Sequence, residues 1–354
     1  MTAQPDFAFD YPLLKELTEA HGVPGYEDRI RELVRREFDG HVDHVQSDAM
    51  GNVVGTIDGA SDYEVVIAAH MDEIGFIVRH VTDDGFLQLD ALGGWDPAVL
   101  KAQRVVVHTD DGDLTGVIGS VPPHTLAEEQ KKKEPKVEDV FVDLGLPGEE
   151  ANERVTVGDL VSMEQTTTVV GNTVTGKSLD DRVCLFAMLE AAKRIENPAV
   201  TIHFAATVQE EVGLRGAEAL GVDLDPDLAL ALDVTVANDV PGFKPGDYVT
   251  TLGEGAGIKL KDGSVITNPK VNKRLRAVAA EHDIPRQPEI LPAGGTDTGG
   301  LQNSSGAKPV GAISVPTRYL HTVAESAHYA DIEATIDLLT QFLTSETGQH
   351  DYSL

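Results

Sequence analysis

The sequence predicts an α/β fold in which a doubly wound, mainly parallel sheet is interrupted by a small β module. Three apolar runs, EVVIAAH, VTIHFAATV and LALALDVTV, alternate with helical segments. Such runs are typical of strands whose two faces are both covered by helices. From about residue 71 to residue 163 the strands are short and are separated by turns. We therefore expect a three-layer α/β domain of residues 1–70 and 164–354, with an inserted, barrel-like β domain of residues 71–163.

Helix and turn signals place the other elements along the chain. Residues 11–21 and 26–38 predict two helices, and the segment VDHVQSDAMGNVVGTIDG predicts a β-hairpin that turns near Gly51. Further helices are expected after Asp180 and Asp181, over residues 271–282, and at the end of the chain.

The charge balance is unusual for a globular chain. Asp and Glu number 59 against 28 Lys and Arg, which gives a formal net charge of −31. Nucleic acids require a basic face and anionic membranes attract basic segments, so we expect neither as a partner. An ordinary acidic protein and a protein adapted to high salt both fit this charge. The acids are spread along the whole chain rather than collected in a tail, which favours high salt.

The single cysteine, Cys184, excludes an intrachain disulfide and fits a reducing compartment. The first residues lack the basic start and apolar run of a signal peptide, and no stretch approaches the roughly 18 apolar residues of a membrane span. We therefore expect a cytoplasmic protein. Cys184 lies in the helical pattern DRVCLFAMLEAAKRI, which indicates a packed core thiol rather than a nucleophile.

Acids and histidines fall where predicted strands end or helices begin. In an open α/β sheet, ligands bind beyond the carboxyl ends of the strands, so these side chains are expected at one rim. Imidazoles and carboxylates together have the composition of a metal site. The residues concerned are His70, Asp72, Asp180, Asp181, Glu210, Glu211, Asp233 and His321.

Each of these residues also has a plain structural interpretation. His70 alone would more often be a hydrogen-bonded structural histidine, but a carboxylate two residues on, Asp72, can hold the far nitrogen of a ligating ring. Asp180 and Asp181 could simply cap a helix, although a cap needs only one acid. Adjacent strand residues point to opposite faces, so Glu210 and Glu211 cannot both reach solvent from a strand end.

The chemistry follows from this set of side chains. Carboxylates, two histidines and an acid that can be shared suit two divalent cations such as zinc or cobalt. Two such cations about 3.5–4 Å apart can activate a water, and a neighbouring carboxylate can move its proton to a leaving amine. The sequence therefore predicts hydrolysis of an amide bond without a covalent intermediate.

Five ordered segments, AHMDEIG, KSLDDR, VQEEVGLRGA, ALDV and PTRYLHT, resemble the tetrahedral (TET) aminopeptidases, the glutamyl and leucyl aminopeptidase family formerly also called cellulase M. The likeness extends over essentially the whole chain, including GVPGYED and MGN near its start. It implies a zinc-exopeptidase-like domain that removes N-terminal residues from short peptides, and the acidity suggests a haloarchaeal member. GGTDTGG departs from the more usual form with Ala after the Asp, which puts the wall of the substrate pocket in question.

The resemblance also implies individual roles. His70 and Asp233 would bind one metal, Glu211 and His321 the other, and Asp180 would bridge both. Glu210 would be the general base and Asp72 the residue that orients His70. The bond between Asp180 and Asp181 would be cis, as in the family. Family members form a hollow tetrahedral dodecamer through the inserted domain.

The Lys-rich segment of residues 124–139 lies in the predicted inserted domain. It is either a mobile surface loop or a loop that reaches a neighbouring subunit and its active site.

Other functions fit parts of the pattern. An endoglucanase needs two carboxyls beside a sugar and usually aromatic stacking surfaces, whereas aromatics are 5% here and Trp95 is the sole tryptophan. A metal-dependent carboxypeptidase or deacylase and a non-catalytic peptide-binding module also remain. The preferred N-terminal residue is open, because GEGAGIKLKDGS suits an apolar or acidic pocket, while Lys259 or Lys261 could favour acidic side chains.

Overall fold

The computed structural model describes residues 7–125, 134–304, 306 and 308–354. Within these residues eight α-helices are found, and no helix is both long and apolar enough to cross a bilayer. The helices are α1 (Tyr11–Glu19), α2 (Asp28–Phe38), α3 (Gly148–Arg154), α4 (Leu179–Arg194), α5 (Arg215–Asp223), α6 (Pro269–Glu281), α7 (Asp297–Ser304) and α8 (Tyr329–Ser345).

The same residues contain the strands of two separate sheets. The strands are β1 (His44–Ser47), β2 (Val53–Ile57), β3 (Glu64–His70), β4 (Gly75–Val81), β5 (Phe86–Leu92), β6 (Arg104–Thr109), β7 (Gly112–Ser120), β8 (Val140–Asp143), β9 (Leu160–Met163), β10 (Thr168–Val170), β11 (Thr173–Gly176), β12 (Thr201–Thr207), β13 (Leu228–Val236), β14 (Ala256–Lys261), β15 (Arg286–Ile290), β16 (Val310–Arg318) and β17 (Glu325–His328).

The large sheet has the order β1-β2-β12-β3-β13-β16-β17-β11-β10, with β14 joined to β16 and β15 joined to β14. Its centre, β12-β3-β13-β16, is parallel, as the alternation of strands and helices predicts. β14 and β15 are parallel, but the other flanking pairs are antiparallel, so the expectation of a mainly parallel sheet is wrong in extent. Part of the reason is local, because β1-β2, β10-β11 and β16-β17 are joined by short connections, and a parallel pair needs a long crossover. Pairs such as β11-β17 join segments far apart in sequence.

Alternate residues of β3 belong to two different apolar clusters. Val65, Ile67 and Ala69 pack with residues of α1, α4 and α8, whereas Val66 and Ala68 pack with residues of α5 and α7. Successive strand residues point to opposite faces of a sheet, so both faces of β3 are buried. This explains why the run EVVIAAH is apolar without a polar alternate, and why its last residue, His70, emerges at the carboxyl edge.

The first hairpin confirms the prediction of a turn near Gly51. β1 and β2 pair antiparallel, and the Asp48 carboxylate accepts hydrogen bonds from the backbone N–H groups of Met50, Gly51 and Asn52. Gly51 has φ of 103°, a conformation that other residues rarely adopt.

Six strands, in the order β4-β5-β8-β7-β6-β9, close into a barrel. The barrel has its own core, which includes Phe76, Leu87, Val107 and Val161. All six strands lie within the segment of residues 71–163, although the division into domains at these boundaries remains a prediction. The Lys-rich loop predicted over residues 124–139 has its central part, residues 126–133, outside the described residues.

Candidate metal centre

The predicted site residues meet at the carboxyl edge of the central parallel strands. His70 ends β3, Asp233 lies in β13, and Asp180 lies in the first turn of α4. The Nε2 atom of His70 is 3.1 Å from Asp180 Oδ1 and 4.0 Å from Glu210 Oε2. His321 Nε2 is 3.4 Å from Asp180 Oδ2 and 3.7 Å from Glu211 Oε2. Chain segments more than 100 residues apart therefore place their acids and imidazoles around one point.

Hydrogen bonding determines which nitrogen of His70 faces the cluster. The Nδ1–H group donates to the backbone carbonyl of Asp72 at 3.0 Å. Nε2 is therefore the ring nitrogen that faces Asp180, and it is the nitrogen that would be free to ligate a cation. The Asp72 carboxylate is farther, with Oδ1 3.5 Å from His70 Nδ1.

The carboxylate of Asp72 instead holds the backbone of the two glutamates. Its oxygens accept hydrogen bonds from the N–H groups of Glu210 at 3.0 Å and Glu211 at 3.1 Å. Asp72 itself is fully buried. One side chain thus couples the end of β3 to the segment after β12, so the residue has a wider positioning role than the sequence indicates.

Several acids of this edge are held without a cationic partner of their own. Burial raises the pKa of Glu211 and Asp233 well above the ordinary values, and the nearby Asp180 carboxylate raises them further. Burial also raises the pKa of Glu210 well above its ordinary value, with smaller contributions from Asp233 and Glu211. Crowded carboxylates resist ionisation together because their charges repel in a poorly solvated place.

Asp180 behaves in the opposite way. Burial opposes its ionisation, but hydrogen bonds from His321 and His70 outweigh it and lower its pKa. The same contact with Asp180 overcomes burial at His321 and raises its pKa to about 9. Asp180 is therefore the carboxylate that both imidazoles face, at the position where the resemblance expects a bridging acid. The peptide bond between Asp180 and Asp181 is cis.

The donor set fits divalent cations. Two groups of ligand atoms lie within 4.8 Å of one another, His70 with Asp180 and Glu211, and His70 with Asp181 and Asp233. Among the described residues, Glu211 Oε1 and Asp181 Oδ1 are buried and have no hydrogen-bond partner. Buried carboxylate oxygens without donors are costly unless a cation or water satisfies them. Mixed imidazole and carboxylate ligands suit zinc and similar borderline cations.

A cavity of about 530 Å³ opens beside this cluster. Asp180, Glu210, Glu211, Asp233 and His321 line one side of it. The segment GGTDTGG contributes Gly294, Gly295 and Thr296 to the lining, so the motif whose departure from the family form was noted does reach the cavity wall. The volume is within the range of small-molecule sites.

Two acids at this edge lack an assigned role in the sequence interpretation. Glu325, at the start of β17, accepts the backbone N–H of Asp180 at 2.9 Å and that of His321 at 2.8 Å. Asp181 accepts the N–H of His70 at 3.3 Å and joins the group with Asp233. Glu325 lies four residues after His321 in a short buried strand, and an acid in such a strand was the available signal.

Two glycines after β5 were also missed. A Cβ at Gly93 would lie 3.3 Å from Glu211 Oε2, and one at Gly94 would lie 3.0 Å from His321 Nδ1. The segment LGGW, which belongs to the predicted inserted module, therefore approaches the cluster closely because it has no side chains there. The paired glycines were the signal in the sequence.

Buried acids and imidazoles at the carboxyl edge of an α/β sheet define the kind of site that metal-dependent hydrolases use. Comparisons with known proteins agree with this class. The family model described as M42 glutamyl aminopeptidase matches residues 51–338, and a model named AMPT matches residues 12–33.

Relatives of known name resemble the chain over nearly its full length. The lysyl aminopeptidase of Pyrococcus furiosus is 36% identical over 343 residues, which cover 94% of this chain and 96% of that protein. The structure of aminopeptidase APDkam598 from the archaeon Desulfurococcus kamchatkensis superposes with a TM-score of 0.91 at 38% identity, covering 95% of this chain and 94% of that one.

The Pyrococcus horikoshii TET1 peptidase, described as able to assemble into a tetrahedron or a large octahedral shell, gives a TM-score of 0.85 at 33% identity and covers 95% of this chain and 99% of that one. The chain belongs to the M42 peptidase family, whose members are metal-dependent peptidases. The resemblance found in its motifs is thereby confirmed at the level of the family, and its hydrolase class with it.

Proposed function

We propose that the chain is a two-cation aminopeptidase that removes residues from the free N-terminus of short peptides. The observation that carries the proposal is the crowd of buried carboxylates around His70 and His321, because these acids outnumber the two imidazoles and several keep raised pKa values beside them. Membership of the M42 family and the aminopeptidase names of its relatives support the same activity.

By the resemblance, His70 and Asp233 would hold one cation and Glu211 and His321 the other, with Asp180 as a ligand shared by both. Two contacts support these roles, since Asp180 faces both imidazoles and Glu211 Oε2 lies 3.7 Å from His321 Nε2. Asp233 lies with His70 and Asp181 in one group of possible ligand atoms. Nitrogen and oxygen donors of this kind suit zinc or cobalt. When bound, the cations would polarise the scissile carbonyl and lower the pKa of a water.

Glu210 is proposed as the general base. Its carboxylate borders the cavity, and burial raises its pKa, which makes it a stronger proton acceptor than an exposed glutamate. Glu210 would accept a proton from the attacking water and return it to the nitrogen of the leaving amine. Asp72 keeps Glu210 in place through the backbone N–H, and the acids around it attract the positively charged free α-amine of a peptide.

The structure gives less support to the alternative activities, an endoglucanase and a carboxypeptidase or deacylase. Trp95, the sole tryptophan, stacks on Phe76 with ring centroids 5.1 Å apart and donates its Nε1–H to the Gly75 carbonyl. One face of its ring is therefore covered by packing, and the sequence has no second tryptophan on which a sugar could stack, which disfavours the endoglucanase. A carboxypeptidase or deacylase differs in substrate, and N-terminally blocked peptides distinguish it from an aminopeptidase.

The decisive experiment is Glu210→Gln, assayed with cobalt or zinc on a peptide with a free N-terminus and on the same peptide N-acetylated. We expect kcat to fall by about 10²–10⁴-fold while the cation content stays at the wild-type level. Glu218→Gln, an exposed acid on α5, is the matched control and should keep full activity. Near wild-type turnover of Glu210→Gln would reject its role as base, and cleavage of the acetylated peptide would reject the aminopeptidase.

We further propose the assembly and setting of the enzyme. The P. horikoshii structure supports self-association, and we propose a tetrahedral dodecamer formed through the barrel of residues 71–163. The net charge of −31 supports adaptation to high salt and a haloarchaeal source, and the buried free thiol of Cys184 is compatible with a cytoplasmic location. The two apolar clusters beside β3 support the three-layer form of the α/β domain.

A further inference from the structure

The proposed aminopeptidase activity leaves open which N-terminal residue is preferred. The family model carries the word glutamyl and one relative is a lysyl aminopeptidase, so family membership does not decide the preference. We propose that the cavity beside the cluster selects neutral, apolar first residues such as leucine, methionine and phenylalanine. This inference rests on the proposed function and identifies the substrate class of the same site.

The cavity lining includes a group of aliphatic residues, here called the aliphatic wall. Leu214, Val236, Leu291 and Leu320 all line it and are all half-buried, so each presents part of its side chain to the cavity. Ala293 and the adjacent glycines complete this side. An aliphatic or aromatic side chain placed there loses water from apolar surface on both partners, which is favourable.

The lysine that could have attracted acidic residues is not available. Lys259 is fully buried, its Nζ donates to Glu289 Oε1, and Asp262 Oδ2 lies 3.8 Å away. Its charge is matched inside the protein, and the side chain does not line the cavity. Lys261 does not line the cavity either. A substrate carboxylate would therefore meet no cationic side chain on the aliphatic wall.

The hydroxyl groups of the lining are also engaged. Thr235 Oγ1 donates to Glu289 Oε1 at 2.8 Å, and Thr296 Oγ1 lies 2.9 Å from Thr298 Oγ1 and 3.3 Å from Asp262 Oδ2. Both hydroxyls point into the protein. They cannot replace the hydrogen bonds that a glutamate side chain would lose on leaving water.

Basic first residues are disfavoured by the position of the acids. The carboxylates that line the cavity are Asp180, Glu210, Glu211 and Asp233, all of them members of the proposed catalytic cluster. Their charge is assigned to the proposed cations and to the proton of the reaction, so none is left as a partner for a basic side chain. A lysine side chain would be desolvated there without a partner, and sites discriminate strongly against groups left unpaired.

The test uses aminoacyl p-nitroanilides of leucine, phenylalanine, lysine and glutamate with the cobalt-loaded protein. We expect kcat/KM for the leucine and phenylalanine substrates to exceed that for lysine and glutamate by at least about 100-fold. Leu291→Lys should raise kcat/KM for the glutamate substrate at least tenfold and lower it for the leucine substrate. Leu291→Glu should raise kcat/KM for the lysine substrate at least tenfold and lower it for the leucine substrate. A tenfold gain is what about one new charge pair with the substrate would supply. Val236→Lys repeats the first comparison if Leu291 variants fold poorly.

Val222→Lys is the matched control, since Val222 is an apolar side chain on α5 that is 70% exposed and does not line the cavity. Its substrate ratios should equal those of the wild type. Comparable rates for leucine and glutamate, or for leucine and lysine, in a wild-type protein that Glu210→Gln inactivates would overturn the selectivity while leaving the aminopeptidase intact. If the protein cleaves none of the substrates with a free amine, both the selectivity and the proposed aminopeptidase activity are overturned.

Discussion

Two buried clusters of charge lie side by side in this molecule, and they are built in opposite ways. In the first, here called the paired cluster, Glu73 accepts hydrogen bonds from Lys177 Nζ and Ser178 Oγ, both at 2.5 Å, and from the Gly22 N–H at 3.1 Å. Burial opposes the ionisation of Glu73, but the charges of Lys177 and Arg182 outweigh it and lower its pKa. The second is the strand-end cluster of the proposed metal centre, in which Glu210, Glu211 and Asp233 have raised pKa values.

The clusters share the same two chain segments. Glu73 is the neighbour of Asp72, and Lys177 is three residues before Asp180. Burial of a charge is costly unless a partner compensates it, and Glu73 has that partner within the chain, whereas the strand-end acids outnumber the imidazoles of His70 and His321. The difference shows that the uncompensated negative charge at the strand ends is specific to that place, where an external cation would complete it.

Arg182 explains how the paired cluster supports its neighbour. The fully buried guanidinium donates to the carbonyls of Met71 at 2.6 Å, Leu17 at 2.7 Å and Ala20 at 3.1 Å. It therefore joins the end of α1 to the segment between His70 and Asp72. Helix ends leave carbonyls without partners, and the guanidinium supplies donors to them.

The largest effect is expected from breaking the paired cluster. Lys177→Met leaves the Glu73 carboxylate buried without its main partner, and the free energy of unfolding should fall by about 3–5 kcal/mol. Urea denaturation followed by fluorescence measures it. The double variant Lys177→Met/Glu73→Gln should lose much less, because no charge is then left alone. If the free energy of unfolding of Lys177→Met is within about 1 kcal/mol of the wild-type value, the pair of Lys177 and Glu73 is not needed for stability.

The strand-end cluster should respond to cations in the reverse sense. Zinc or cobalt added to chelator-treated protein should raise the free energy of unfolding, by about 2.7 kcal/mol when the free cation is 100 times its Kd. Thermal melting against cation concentration measures this gain. The gain should be lost in Glu211→Gln/Asp233→Asn, and an unchanged gain in that variant would place the cations elsewhere.

Glu325 provides a finer comparison between two acids of similar bonding. Glu325 accepts hydrogen bonds from two backbone N–H groups beside the strand-end cluster. Asp331, which lies away from that cluster, accepts hydrogen bonds from the N–H groups of Gly253 at 2.7 Å and Gly255 at 2.8 Å. An amide in place of either acid leaves one donor unsatisfied, at a cost of about 1–3 kcal/mol in stability.

Only Glu325→Gln should also weaken cobalt binding, by about 10–100-fold, because it alone displaces Asp180 and His321. Asp331→Asn is the matched control. Cobalt titration followed by its visible absorption separates the two variants, and equal cobalt affinity in both would reduce Glu325 to a structural residue.

The smallest effect concerns pH and the border of the paired cluster. Burial and then the charge of Lys177 lower the pKa of His21 from 6.5 to about 4. Between pH 6.5 and 4, His21 is protonated in the unfolded chain but stays neutral in the folded chain. The free energy of unfolding therefore falls as the pH drops from 6.5 towards 4. The loss from this residue should be about 1–2 kcal/mol, since part of the side chain remains solvated.

His21→Gln should remove this loss of unfolding free energy at low pH. Above pH 7 the substitution should change the unfolding free energy less than it does at pH 4.5. Unfolding free energies at pH 7.5, 6, 5 and 4.5 in the two proteins test it. Parallel curves for both proteins would mean that His21 does not titrate between these values.

Much of the fold was predictable because it depends on short-range patterns. The apolar run ending in His70 indicated a strand buried on both faces, and Gly51 indicated the hairpin turn. The parallel centre of the large sheet followed from alternating strands and helices. The antiparallel edges did not, because the pairing of outer strands such as β11 and β17 is decided between segments far apart in sequence.

The sequence by itself determined which side chains stand at the ends of strands, since strand length and apolar periodicity are local properties. His70, Glu210 and Glu211 could be identified in this way, whereas the predicted strand end near Asp233 is wrong, because β13 continues to Val236. Only the tertiary structure decided which charges are compensated. Nothing in the sequence marks Lys177 and Lys259 as buried. Each nevertheless lies against an acid far along the chain, Glu73 for Lys177 and Glu289 for Lys259. Compensation depends on distances of a few ångströms across the fold, and Coulomb interactions at that range are set by packing and not by spacing along the chain.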